Sequence, residues 1–370
     1  MINYLKKEYG LAINQNRIPW IDAIKGIAMI LIMWGHVQST SPLKLWLTSF
    51  HVPLYLILSG ILICHSCKSS GKRPSGDAQK LKSKLLRPYL SFSAIAVVCL
   101  FLYGFYCDGF ESGAKSIILN VYKTITCYGI LAIWFIPSYG IACYVFGKTC
   151  HDSFWINVLT LILWAGVGIA GSTFFSYLQE NASSLTYNIV YFPAAALLRG
   201  MACTYYMVLG KILYELYLKF HNLNGFTIIL GIVCVACLLS SIYVSQFLTG
   251  TNFSMLQFGE KPYLIYVCGT LGSIWVIVLF YFLRKAFAFP LLQFIGRKSL
   301  IIMGTHMSLL FTIIIPALLG LIVKTPPVQT IGNYLFGLGC VVIMIILEIP
   351  IIYLLDGKLS FLIRKTQKNP

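Results

Sequence analysis

Ten stretches of this chain are each long and apolar enough to cross a bilayer, near residues 19–38, 45–66, 88–107, 130–147, 153–177, 189–210, 224–244, 263–283, 299–322 and 332–355. A spanning helix needs about 20 predominantly apolar residues, and within hydrocarbon a helix satisfies all its backbone groups internally. Only 11% of the residues are charged, against about 25% in soluble domains, so the chain could not cover a water-facing surface. The predicted fold is therefore all-α: a polytopic membrane bundle of about ten transmembrane helices over roughly residues 19–355. Residues 1–370 are expected to form a single integral membrane domain with no soluble domain.

The formal net charge of +17 suggests nucleic acid until the charges are placed. They sit in short loops between the apolar runs, where positive charge records orientation. The N-terminal arm, the loops 67–87, 148–152, 211–223 and 284–298 and the tail after 355 together hold 21 Lys/Arg. The alternate loops hold five: Lys44, Lys115, Lys123, Lys261 and Lys324. This asymmetry predicts both termini in the cytoplasm, membrane lipid as a partner, and no nucleic acid. Residues 1–17 contain Lys6, Lys7, Glu8 and Arg17 without an apolar stretch, which does not read as a cleaved leader. The loops 108–129 and 245–262 have mixed polarity suited to short interfacial helices.

Ionisable residues inside spans are costly and usually face a cavity or a partner. The first span carries Asp22, Lys25 and His36. Asp22 and Lys25, three apart, are neighbours on one face; they read either as an ion pair at the helix start or as part of a site. Lys25 and His36 are eleven apart, about three turns, so they share a stripe with roughly 16 Å between them along the axis. A histidine of near-neutral pKa suits proton removal from a hydroxyl, which makes His36 a candidate general base. His51, at the start of the second span, is expected at about the depth of His36. It reads as a second catalytic group, an orienting partner or an interface histidine. Ser59 as an acyl-bearing nucleophile is disfavoured, because about 12 Å of helix separates it from His51.

Arg199, His306 and Glu348 are the other ionisable groups in later spans. An Arg199–Glu348 ion pair and a satisfied core His306 are the structural expectations. Trp134 reads as a belt aromatic or a sugar-stacking ring. Lys80, Lys82, Lys84 and Arg87 form a basic stretch that serves either as a lipid anchor or as a phosphate clamp. Twelve cysteines are present, mostly within apolar runs, and two Cys-x-x-Cys pairs (Cys64/Cys67, Cys234/Cys237) lack the second pair that a structural zinc site needs; no metal is expected.

The segments RIPWIDAIKGIAMILIMWGHV (17–37), SFHVPLYLILSGIL (49–62), KLKSKLLRPYL (80–90), IWFIPSY (133–139) and FIGRKSLIIMGTHM (294–307) together resemble the acyltransferase-3 family of integral membrane acyltransferases, and within it the fucose 4-O-acetylase-like branch. The resemblance implies a multi-pass enzyme of the bacterial inner membrane. Its donor would be cytoplasmic acetyl-CoA and its acceptor a hydroxyl of a cell-surface polysaccharide or a lipid-linked precursor. The family's basic-residue-to-histidine pattern falls on Lys25 and His36, where many members have Arg at the first position. Its basic motif before the third helix falls on Lys84 and Arg87. The resemblance thus implies donor binding by Lys25, Lys84 and Arg87, and catalysis by His36 with His51 and Asp22 as further candidates. The rival reading is a glycan or lipid-linked sugar transporter or flippase, although the paired broken helices and half-to-half repeat of many transporters are not visible.

Overall fold

The computed structural model describes residues 18–363. The basic residues counted in the arm (Lys6, Lys7, Arg17) and in the tail (Arg364, Lys365, Lys368) lie outside the described residues. Those described form thirteen α-helices and no strands beyond one isolated bridge, Asn252–Gln257. The helices are α1 (Pro19–Val37), α2 (Pro42–Ser70), α3 (Ala78–Asp108), α4 (Phe110–Ile125), α5 (Phe135–Thr149), α6 (Phe154–Asn181), α7 (Ser184–Phe220), α8 (Phe226–Ser245), α9 (Tyr263–Leu283), α10 (Pro290–Arg297), α11 (Ser299–Thr305), α12 (Phe311–Ile322) and α13 (Ile331–Asp356). Among the described residues nine are long and apolar enough to cross a membrane, α5 being counted with the 3₁₀ turn Leu131–Trp134 that leads into it. The protein is a polytopic helical bundle.

Helix starts follow local chemistry. Pro19 and Pro42 occupy first-turn positions where no backbone N–H is needed. Ser41 and Asp77 accept from the backbone N–H of Lys44 and Lys80. The stretch 108–129 contains α4, and the loop 245–262 holds a 3₁₀ turn, Phe253–Met255.

The expected ninth span, 299–322, is not one helix. It breaks after Thr305 into α11 and α12, with Leu310 in the left-handed region at φ 58°. The break places His306 at a helix end inside the bundle, where it bonds back to its own turn. Just before it, the loop 284–298 folds into α10, which lies tightly against α1.

Two apolar cores share α2. One surrounds α1 and draws on α2, α10, α11 and α13; the other joins α2, α5, α7 and α9. In lipid the gain comes from close packing rather than from exclusion of water, so small residues sit at the crossings. A Cβ on Gly26 would lie 2.0 Å from the Leu292 carbonyl oxygen, and one on Gly296 1.9 Å from that of Asp22. Both neighbours are backbone and cannot swing aside. Gly296→Ala is therefore expected to push α10 off α1 and cost roughly 1–3 kcal/mol; an unchanged thermal midpoint of the purified protein would contradict this.

Candidate active site

About half of the residues of α1 are buried, and its ionisable side chains Asp22, Lys25 and His36 are not among them. At the basic face, a cavity of about 220 Å³ opens beside Lys25. Its wall is made by Tyr55 and Ser59 of α2, Leu85 of α3, Phe135 and Tyr139 of α5, and Ser299 and Met303 of α11. The lining is mostly apolar, with a few hydroxyls and one ammonium group. Tyr55 Oη donates to the Lys25 carbonyl at 2.6 Å, and Ser59 Oγ donates to the Tyr55 carbonyl at 2.8 Å, which ties α1 to α2 at the cavity floor.

About three turns further along α1, His36 is exposed to solvent and carries no hydrogen bond among the described residues. Its ring centroid lies 5.6 Å from that of His306, and His51 and Lys44 lie within its electrostatic reach. His306 is fully buried, and its Nδ1 bonds to the Ile302 carbonyl at 2.7 Å. His51, also buried, bonds through Nδ1 to the Leu47 carbonyl at 2.7 Å. A carbonyl can only accept, so Nδ1 carries the proton in both rings and a neutral ring leaves its lone pair on Nε2. The His306 Nε2 is buried with no partner among the described residues. Each ring is thus held in one tautomer by its own helix.

α11 runs from the cavity to the histidines. Ser299 and Met303 line the cavity, and His306 follows Met303 by three residues, nearly one turn deeper. Next to it, Thr305 Oγ1 approaches both carboxyl oxygens of fully buried Glu348 on α13, at 2.7 and 2.9 Å. The base of α11 is held by Lys298, whose Nζ pairs with Asp356 at 2.7 Å with both side chains under 10% exposed.

The structure brings His36, His51 and His306 together and sets Lys25 in the cavity beneath them. It does not bring Asp22 to them: Asp22 sits in the first turn of α1, about 21 Å from His36 along the axis. Lys84 is exposed, adjacent in sequence to cavity-lining Leu85 and within electrostatic reach of Cys143 on α5. Arg87, also exposed, reaches the Phe361 carbonyl at 3.5 Å instead of the cavity. His306 was legible as an ionisable residue in an apolar run, but its place beside His36 depends on the break after α11.

The expected Arg199–Glu348 pair is not formed. Arg199 is fully buried and donates from Nε to Ser138 Oγ at 2.8 Å, from Nη2 to the Tyr128 carbonyl at 2.6 Å and from Nη1 to the Ser254 carbonyl. Its guanidinium also lies 4.7 Å from the Trp134 ring centre, and Tyr128 flanks it at 4.9 Å. The Trp134 ring, read as a belt aromatic or a sugar-stacking ring, thus already stacks on a cation. Irregular backbone inside a membrane bundle is tolerated only where protein satisfies it, and Arg199 does so for the turns around 128 and 254.

A multi-pass helical bundle with a polar stripe running from one face toward the other is the class these observations define. The acyltransferase domain family Acyl_transf_3 matches residues 18–353, and the chain belongs to that family. Neither a curated protein nor a solved structure matches it.

Proposed function

We propose that the protein is a membrane O-acetyltransferase that takes acetyl groups from acetyl-CoA at the basic, cytoplasmic face. The acceptor is a hydroxyl of a cell-surface polysaccharide or its lipid-linked precursor, in keeping with the resemblance to fucose 4-O-acetylase-like proteins. The observation that carries this reading is the alignment of the Lys25 cavity with the histidine cluster along α1 and α11. A narrow, mostly apolar cavity with a cation at its mouth suits the pantetheine arm of coenzyme A. Lys84 and Lys25 then meet the phosphates, and Arg87 joins them by turning from the Phe361 carbonyl.

In this mechanism the acceptor hydroxyl approaches His36 from the opposite face. His36 removes its proton as the oxygen attacks the thioester carbonyl. The new C–O bond forms and the C–S bond breaks. The proton passes to the departing thiolate, leaving an O-acetyl ester and free coenzyme A. His306 and His51 present fixed lone pairs that can hold a His36 N–H and so select which nitrogen acts as base, in the manner of the orienting groups of other histidine bases.

His306→Phe is expected to lower the turnover number roughly tenfold to a hundredfold without raising the KM for acetyl-CoA, while His306→Gln, which keeps an acceptor, retains more activity. Equal losses in both variants would remove the orienting role. The function itself is tested by comparing the O-acetyl content of surface glycans, by mass, from cells with and without the protein. A loss of acetyl groups in its absence is expected; identical glycans would overturn the reading.

A further inference from the structure

A second, larger cavity lies away from the histidine stripe. It occupies about 450 Å³, within the range of small-molecule sites. α7 and α8 are joined by a short turn but scarcely touch along their lengths; α8 packs instead on α9 and, more lightly, on α2. The wedge left between them is floored by the start of α1 and the end of α2. Its depth is lined by side chains such as Ile61, Leu230, Val233, Ile274 and Ile277. From Arg284 at its mouth to Ile274 the slot runs about 15 Å into the bundle.

Polar groups are confined to the end at the basic face. There the His65 Nδ1 and Tyr214 Oη are 3.1 Å apart. The Arg284 guanidinium lies over the Tyr281 ring, 3.4 Å from its centre, and donates to the Tyr281 carbonyl. Tyr217 and Trp20 flank the same ring at 5.9 and 6.3 Å. Arg284 has no carboxylate partner among the described residues, and most of its five donors remain available. Water finds almost no hydrogen-bond partner in the depth of such a slot, whereas an apolar chain packs against every wall. An occupant with a long apolar chain and an anionic head matches both ends, and basic pockets between membrane helices on this side recognise such heads.

We propose that this wedge is a binding site for an anionic phospholipid of the leaflet at the basic face. One acyl chain lies between α7 and α8, and the phosphate sits at Arg284, with His65 and Tyr217 beside it. The site is independent of the acetyl-transfer reading, since it shares no residue with the Lys25 cavity or the histidine cluster.

The test uses the full chain in detergent with a phosphatidylglycerol carrying a mid-chain diazirine, followed by peptide mapping of the photolabel. Label is expected on segments containing Ile61, Val233 and Ile277, at least tenfold above the matching phosphatidylethanolamine probe. Arg284→Gln and the slot-filling Leu230→Trp should each reduce it at least tenfold. The wild-type comparison of the two lipids decides the matter even if a variant fails to fold. Label spread evenly over the outer faces of α3 and α6, equal labelling by the zwitterionic probe, or full labelling in both folded variants would overturn the proposal. So would labelling that appears only after deletion of residues 1–17, which would make that segment the occupant, or displacement by a polyprenyl phosphate at tenfold lower concentration than by phosphatidylglycerol.

Discussion

Replacing His36 by alanine is expected to lower the turnover number for acetyl transfer by roughly 10²–10⁴-fold, the range that general-base catalysis supplies. The side chain is exposed and makes no hydrogen bond among the described residues, so its loss should leave protein level and thermal midpoint nearly unchanged. The KM for acetyl-CoA should also hold, because Lys25 and the cavity lie about 16 Å away along the helix. This combination, turnover lost with donor affinity and fold intact, separates a base from a structural residue. A His36→Ala protein that transfers acetyl groups at the wild-type rate would remove His36 from the chemistry.

The second large effect is on stability. Arg199→Met is expected to destabilise the fold by roughly 3–5 kcal/mol, because each buried acceptor left without its donor costs about 1–3 kcal/mol. The variant loses three hydrogen bonds at once and leaves the Tyr128 and Ser254 carbonyls without a donor in the bundle interior. Two ring contacts go with them. Arg199→Lys should recover only part of this, because one ammonium cannot reproduce a planar fork aimed at three acceptors. Protein level in membranes and the thermal midpoint of the purified variant check both statements. An Arg199→Met protein as stable as the wild type would show that the outer turns hold themselves without it.

How far these features were readable from residues alone depended on their range. The long spans were legible because the period and length of apolar runs are local properties, and the orientation expected for them follows from counting loop charges. The break in 299–322 was not: residues 306–310 contain neither Gly nor Pro, and Leu310 adopts a left-handed conformation imposed by its surroundings. α10 lies in the stretch 284–298 that reads as a basic loop, and its contact with α1 through Gly26 and Gly296 is a tertiary fact.

The candidate site divides in the same way. Lys25 and His36 lie on one helix, and their shared stripe follows from helical geometry. His306 joins them through a fold-back that no spacing reveals. Arg199 was visible as a lone cation in an apolar run, and the natural expectation was a carboxylate partner. Backbone carbonyls serve instead because the turns near residues 128 and 254 are carried into the bundle beside α7, which hydropathy does not register.

The central claim is that the donor is used from one face and the acetyl group leaves toward the other. Sealed inside-out membrane vesicles containing the protein, given acetyl-labelled acetyl-CoA from outside, test it most directly. The account predicts label entering the glycan or lipid-linked fraction, with coenzyme A released in equal amount, and far less transfer when sealed right-side-out vesicles receive the same donor. Equal use of the donor from both sides, or no coenzyme A released in either orientation, would contradict it.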